Sequence, residues 1–212
     1  MFEMEYKGGN TLVVVSKKET IVIDPRRSVI GMPDINIDAA IELATEPRLA
    51  MNNESAKLVI DGPGEYGVSD FDIKGISAQR HLDSEDKPNA STIYRIELGG
   101  VRMCLVGNIY EKISEDQLEA IGVVDILILP VGGNGYTLDA TGAAGLVRKI
   151  DPKVVVPVHY ADEDIKYEVP QDSLELFVKE LGAQVETVPK YKIKGFSSIP
   201  ESLTIMEITR SK

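Results

Sequence analysis

Only two imidazoles are available to this chain, His81 and His159, so chemistry that needs a neutral nitrogen donor or a base near neutral pH must use them. Metal-assisted hydrolysis asks for more. Several imidazoles and carboxylates must surround one ion and leave a position open for the water it activates. Other nucleophiles have poor contexts. Cys104 is the single cysteine and lies in the mostly apolar run 101–106 with no histidine close in sequence. It reads as a buried structural thiol, not as half of a Cys–His pair. Ser77 and Ser91 flank His81, but no G-x-S-x-G elbow is present. The segment Gly132-Gly133-Asn134-Gly135 lacks the spacing of a phosphate-binding loop and reads as a strand-to-helix connection. Asp83, Glu85 and Asp86 form a short acidic cluster without the twelve-residue calcium-loop pattern, which is the mark of a solvated loop.

The elements that must position these groups change rhythm along the chain. Phe2, Met4 and Tyr6 alternate with polar residues, and the runs 11–15 and 20–24 are β-branched, so the first part reads as strands joined by short turns. Residues 26–36 read as a loop with Gly31 and Pro33, and 39–45 are open between strand and helix. Further strands are expected at 57–61 and 71–79, a turn at Gly62-Pro63-Gly64, and a hairpin of 92–98 with 101–106 around Gly99-Gly100. From Ser114 onward strands and helices alternate. The S-x-x-Q phrase Ser114 to Gln117 is a capping box, and 138–150 carries Ala143, Leu146, Val147 and Ile150 at helical spacing. A helix over 173–181 stops at Gly182. The apolar runs 126–129 and 154–158 predict buried strands, and 185–188 and 203–208 close the chain as strands. Hairpins followed by strand–helix alternation predict an α/β domain of two sheets with outer helices, a single unit over 1–212.

Composition narrows the partners. Apolar residues make up 43% and charged residues 27%, the balance of a soluble globular chain. The net charge of −11 repels phosphate backbones, and Lys190, Lys192 and Lys194 read as a solvated strand face, so nucleic acid is not an expected partner. No apolar run approaches the ~20 residues of a membrane span, and the N-terminus lacks a signal-peptide pattern. The expectation is a cytoplasmic protein with a small-molecule or protein partner.

Several phrases then line up in order: Ile23-Asp24-Pro25, the stretch 45–53, Pro63-Gly64-Glu65-Tyr66, the stretch 89–94, Val106-Gly107-Asn108, the DILILPVGG run at 125–133, and Pro157-Val158-His159-Tyr160. Together they resemble the metallo-β-lactamase superfamily, and within it the small bacterial branch of metal-dependent hydrolases related to the ascorbate-6-phosphate lactonases. The resemblance covers nearly the whole chain. It implies a four-layer αββα sandwich with one or two metal ions held at the rim where the sheets meet.

Placed on that resemblance, the ligand positions have changed. The family's H-x-H-x-D-H signature is occupied here by Glu46, Arg48, Ala50 and Met51. Glu46 retains an oxygen donor, Ala50 has none, Met51 offers only a soft thioether, and Arg48 is a permanent cation without a lone pair. The third histidine position is matched by His81 and the last by His159. Asn108 stands where a bridging aspartate is usual, and Asn10 where a Gly-His phrase lines the site. The resemblance therefore implies a vestigial site at Glu46, Arg48, Ala50, Met51, His81, Asn108 and His159. It implies a non-catalytic homologue acting as a binding or interaction scaffold, with no cofactor. The alternative is a metal-dependent hydrolase with an altered centre built from Glu46, His81, Asn108 and His159, holding zinc or another divalent ion through His81, His159 and Glu46.

Overall fold

A computed structural model describes residues 1–81 and 90–211. The acidic cluster Asp83, Glu85 and Asp86 lies outside the described residues. The first half of the chain forms β1 (Phe2–Gly8), β2 (Thr11–Ser16), β3 (Thr20–Ile23), β4 (Ile41–Leu43) and β5 (Leu58–Ile60), then β6 (Gly64–Val68), β7 (Phe71–Ala78), β8 (Ser91–Leu98) and β9 (Val101–Leu105). The second half forms α1 (Glu115–Ile121), β10 (Ile126–Pro130), α2 (Ala140–Ile150), β11 (Val154–Val158), α3 (Leu174–Leu181), β12 (Gln184–Val188), β13 (Tyr191–Ile193) and β14 (Thr204–Ile208).

Two mixed sheets result. One runs β13-β1-β2-β3-β4-β5 and the other β12-β14-β11-β10-β9-β8-β7-β6. In β1 buried residues alternate with half-buried ones, as a strand with one face on the core requires. In β10 and β11 every residue is buried, because these parallel strands are covered on both faces. One core lies between the sheets and includes Met4, Leu12, Ile21, Phe71, Tyr94, Met103 and Ile128. A second lies between the larger sheet and the helices and includes Cys104, Leu127, Ala143, Leu146 and Phe177. On the outer face of the smaller sheet a small cluster gathers Val22, Ile37 and Ala40, with Val13, Ile35, Met51 and Ala56 packed against them. This layer of the αββα sandwich is thin, and among the described residues it is made of loops and short 3-10 turns.

The helix signals act as expected. Ser114 and Gln117 close a reciprocal capping box on α1, and Gly182 ends α3 in a left-handed conformation. The helix expected from 138 begins at Ala140, because Asp139 caps it by accepting from Gly142 N. Residues 41–43 of the ambiguous segment are strand. β6 was not expected, and β13 was read only as the strand face that carries Lys190, Lys192 and Lys194. Both are edge strands, where Gly64 and Gly67 are tolerated and where three residues suffice.

What this topology does for chemistry is bring strand ends to one rim. In the parallel β9–β10–β11 ladder Leu105 pairs with Ile128, and Pro130 with Val158. Asn108, Val131 and His159 thus emerge on the same side. In the other sheet β3 and β4 run parallel and end beside each other at Asp24 and Thr45, with Glu46 next in the chain. The carboxyl ends of parallel strands are where α/β folds leave room for a ligand.

Candidate functional site

Gly107 lets the two sheets meet at this rim. It adopts φ +60, and a Cβ there would fall 2.8 Å from the Thr45 side chain. Gly107→Ala is expected to lower stability by about 2 kcal/mol, from left-handed strain together with the clash, a loss that urea unfolding would register. On the opposite strand end Asp24 (φ 48) accepts from Thr45 N and Thr45 Oγ1, both at 2.7 Å, and so fixes the start of the segment that carries Glu46.

Glu46 is the hub. It is 1% exposed and both its oxygens are engaged. Oε1 accepts from Asn108 Nδ2 at 2.8 Å, and Oε2 accepts from Arg48 Nε at 2.8 Å and Arg80 Nη1 at 3.3 Å. Asn108 is oriented by its second contact, because its Oδ1 accepts from Asn10 Nδ2 at 3.0 Å. The chain of donors runs from Asn10 through Asn108 to Glu46, so every proton points toward the one carboxylate. Arg48 then turns across the rim. Its guanidinium carbon lies 5.1 Å from the centre of the Tyr136 ring, and its Nη2 donates to the Tyr136 hydroxyl.

Tyr136 continues the stack. Its ring lies 5.3 Å from His159 at 11°, and His159 lies 4.7 Å from Tyr167 on its other side. The Gln171 amide donates to the Val169 and Pro170 carbonyls, which leaves Oε1 facing His159 Nδ1 at 3.1 Å. An acceptor there means that Nδ1 carries the proton. Burial pushes the His159 pKa down to about 4, so the ring is neutral at physiological pH. Burial has the opposite effect on the Asp24 carboxyl, which is pushed up to about 7 against the pull of its two Thr45 hydrogen bonds.

The structure brings together Glu46, Arg48, Asn108 and His159 from the expected set, and separates the rest. Met51 does not enter the site. Its backbone N–H donates to the buried Glu42 carboxylate and it packs on the outer cluster of Val22, Ile37 and Ala40. Ala50 is fully buried and brings no donor. His81 is tied to Asn108 through its backbone, N–H to Asn108 O at 2.9 Å, while its ring lies against Tyr110 with Nδ1 buried and without a hydrogen-bond partner among the described residues. Sequence reasoning missed Arg80, Tyr136, Tyr167 and Gln171 as members. The one available signal was position: Arg80 sits beside His81, and Tyr136 follows the glycine-rich segment 132–135.

A divalent ion does not fit these residues. The Glu46 carboxylate already receives three donors, two of them from guanidinium groups that repel a dication at contact distance, and the Asp24 carboxyl is taken up by Thr45. Among the described residues no group of three His, Cys, Asp or Glu converges to hold a metal ion. What space remains is a cavity of about 20 Å³ lined by Asn10, Asp24, Arg26, Asn108, Tyr136 and His159 among others, enough for one water.

Comparison with known proteins agrees with the architecture. A β-lactamase superfamily domain model matches residues 3–159. A UPF0173 metal-dependent hydrolase of Thermococcus onnurineus is 31% identical over 139 residues, 59% of this chain and 62% of that one. A UPF0173 protein of Pyrococcus furiosus is 35% identical over 94 residues, 42% of this chain and 43% of that one. The matches thus span less than two thirds of the length of these curated relatives. Among solved structures, one described as a Zn-dependent hydrolase of the metallo-β-lactamase superfamily from Thermotoga maritima superposes with TM-score 0.73 at 21% identity, covering 98% of this chain and 100% of that one. A metallo hydrolase of the archaeon Ignicoccus hospitalis superposes with TM-score 0.61 at 16% identity, covering 97% and 95%. The likeness therefore reaches beyond bacteria, and at these identities the two structures speak for the fold alone.

Proposed function

The chain belongs to the β-lactamase superfamily domain family, and on that premise we propose that it is a non-catalytic member that acts as a binding scaffold, with its own side chains filling the position of the metal. The observation that carries this reading is the engagement of both Glu46 oxygens by Asn108, Arg48 and Arg80. Arg48 supplies permanent positive charge where the family's reaction would need a Lewis acid and an open coordination position. The fold does not depend on the ion, because the cores lie between and behind the sheets, and a site is grafted on such a scaffold.

The alternative, a metal-dependent hydrolase using Glu46, His81, Asn108 and His159, has the names of the relatives behind it. Its donors are committed elsewhere. Asn108 turns its amide nitrogen toward Glu46, the His81 ring lies tilted against Tyr110, and His159 is stacked on Tyr136 with Tyr167 tilted against it. A cytoplasmic location and a partner other than nucleic acid belong to the same proposal. They rest on the net charge of −11 and on the lack, among the described residues, of any helix long and apolar enough to cross a membrane.

Elemental analysis of tag-free protein purified without chelator is expected to find well under one metal ion per chain. Ester, lactone and phosphodiester substrates are expected to show no chelator-sensitive turnover. One equivalent of zinc, manganese or iron, with hydrolysis that vanishes on chelation, would overturn the reading.

A further inference from the structure

Above the Glu46 network the rim carries a carboxylate that is poorly held. Glu168, on the loop between β11 and α3, places an oxygen 3.6 Å from Arg48 Nη1, and its side chain is 54% exposed against 1% for Glu46. A long, solvated ion pair of this kind contributes little to stability. One edge of the Arg48 guanidinium is therefore satisfied by a group that can leave.

Arg26 stands next to it. Its backbone N–H donates to Leu49 O at 3.2 Å, so Arg26 and Arg48 rise from adjoining segments. Its half-buried side chain lines the small cavity together with Tyr136, the ring that Arg48 covers. Among the described residues the Arg26 guanidinium has no carboxylate partner and no hydrogen-bond acceptor. Lys166 N–H donates to Ile30 O at 3.1 Å, which draws the loop carrying Glu168 across the 3-10 turn Arg27–Ile30 that follows Arg26. The segments that carry Glu168, Arg26 and Arg48 thus meet at one mouth of the rim.

We propose that this mouth binds a small oxyanion, the carboxylate or phosphate group of a small molecule, which displaces Glu168 from Arg48 and engages Arg26. The inference rests on the non-catalytic reading, under which Arg48 stands without a metal beside it. The planar fork of a guanidinium matches two oxygens of either group, and a half-buried arginine without an internal partner is cheaply desolvated further by an incoming anion. The cavity beneath, about 20 Å³, has room for no more than one water, so the anion sits at the mouth where the Glu168 carboxylate now lies, not inside. The overall negative charge discourages anions elsewhere on the surface.

Isothermal titration of the full chain with inorganic phosphate and with acetate, at ionic strength matched by chloride, tests this. Saturable binding is expected for at least one of the two oxyanions and none for chloride, and the tighter probe identifies the group recognised. Glu168→Gln, an exposed change, is expected to tighten binding about tenfold, and Arg26→Gln to weaken it about tenfold, with circular dichroism unchanged in both. Absence of binding, equal heats from chloride, or affinity indifferent to Glu168→Gln would overturn the proposal. Repeating the titration with chelator separates the two readings. Binding that disappears with chelation condemns the non-catalytic reading, whereas a folded, metal-free protein that ignores both oxyanions condemns the mouth alone.

Discussion

Replacing Glu46 by alanine is expected to lower the unfolding free energy by about 4 kcal/mol, the largest single-residue effect at this rim. The loss has two parts. The Asn108 amide is left with a buried unpaired donor, and Arg48 and Arg80, held 2.8 and 3.3 Å from one Glu46 oxygen, lose the buried charge they share. Removing Arg48 is a smaller change. In Arg48→Met the carboxylate keeps Arg80 and Asn108, the methionine covers Tyr136, and a cost of about 1–2 kcal/mol follows from the lost cation–π and hydrogen-bond contacts. The combination Glu46→Ala with Arg48→Met is then expected to cost less than the two changes summed, because each relieves the charge that the other strands. Urea unfolding of the four proteins measures this cycle. An alanine variant within 1 kcal/mol of the parent would mean that the network is ornamental. A parent whose midpoint rises with added zinc would mean that Glu46 serves an ion instead.

How much of this was legible in the residues alone depends on distance along the chain. Glu46, Arg48 and Asn108 were found because each sits in a phrase whose neighbours keep the family pattern, so the strand end is recognisable even where the ligand is not. Arg80 was overlooked because imidazole chemistry drew attention to His81, one residue on. The fold reverses their importance: the bridge between Arg80 and Ile109 sets the strand end so that the guanidinium, not the ring, reaches Glu46. Tyr136, Tyr167 and Gln171 gain their roles only when β10, β11 and the loop before α3 are brought together, and no local spacing encodes that. Met51 misled for a geometric reason. Asn52 beside it adopts φ 52 and Glu42 pins the Met51 backbone, which leaves the thioether on the outer cluster. The strands were legible where one face or both were buried over four residues or more. Shorter strands were read unevenly: β5 was expected within 57–61, whereas β4 stayed open between strand and helix, because three residues fit no period.

Two buried groups at this rim should leave opposite marks on stability, and a pair of variants exposes them. The Asp24 carboxyl, ordinarily near 3.8, is pushed by burial up to about 7 in the folded chain. The folded state therefore holds a proton that the unfolded state gives up, and this group erodes stability as pH rises from about 4 to about 7. His159, ordinarily near 6.5, is pushed down to about 4 by burial. Here the unfolded state takes up a proton that the folded state refuses, so stability is eroded as pH falls from about 6.5 to about 4. Between roughly pH 4 and 6.5 the two proton differences are equal and opposite, and their slopes cancel. Asp24→Asn removes the first. Relative to the parent, its stability is expected to climb with pH across that window by about 1.4 kcal/mol per unit, because only His159 remains to bind the extra proton on unfolding. His159→Asn, which suits the left-handed backbone at φ 52, is expected to tilt the other way by a similar amount. Guanidinium unfolding at half-unit steps from pH 4.5 to 6.5 gives both difference curves, in which carboxylates elsewhere drop out. Two variants with slopes of the same sign would refute the assignment of neutral, buried Asp24 and His159 to one rim.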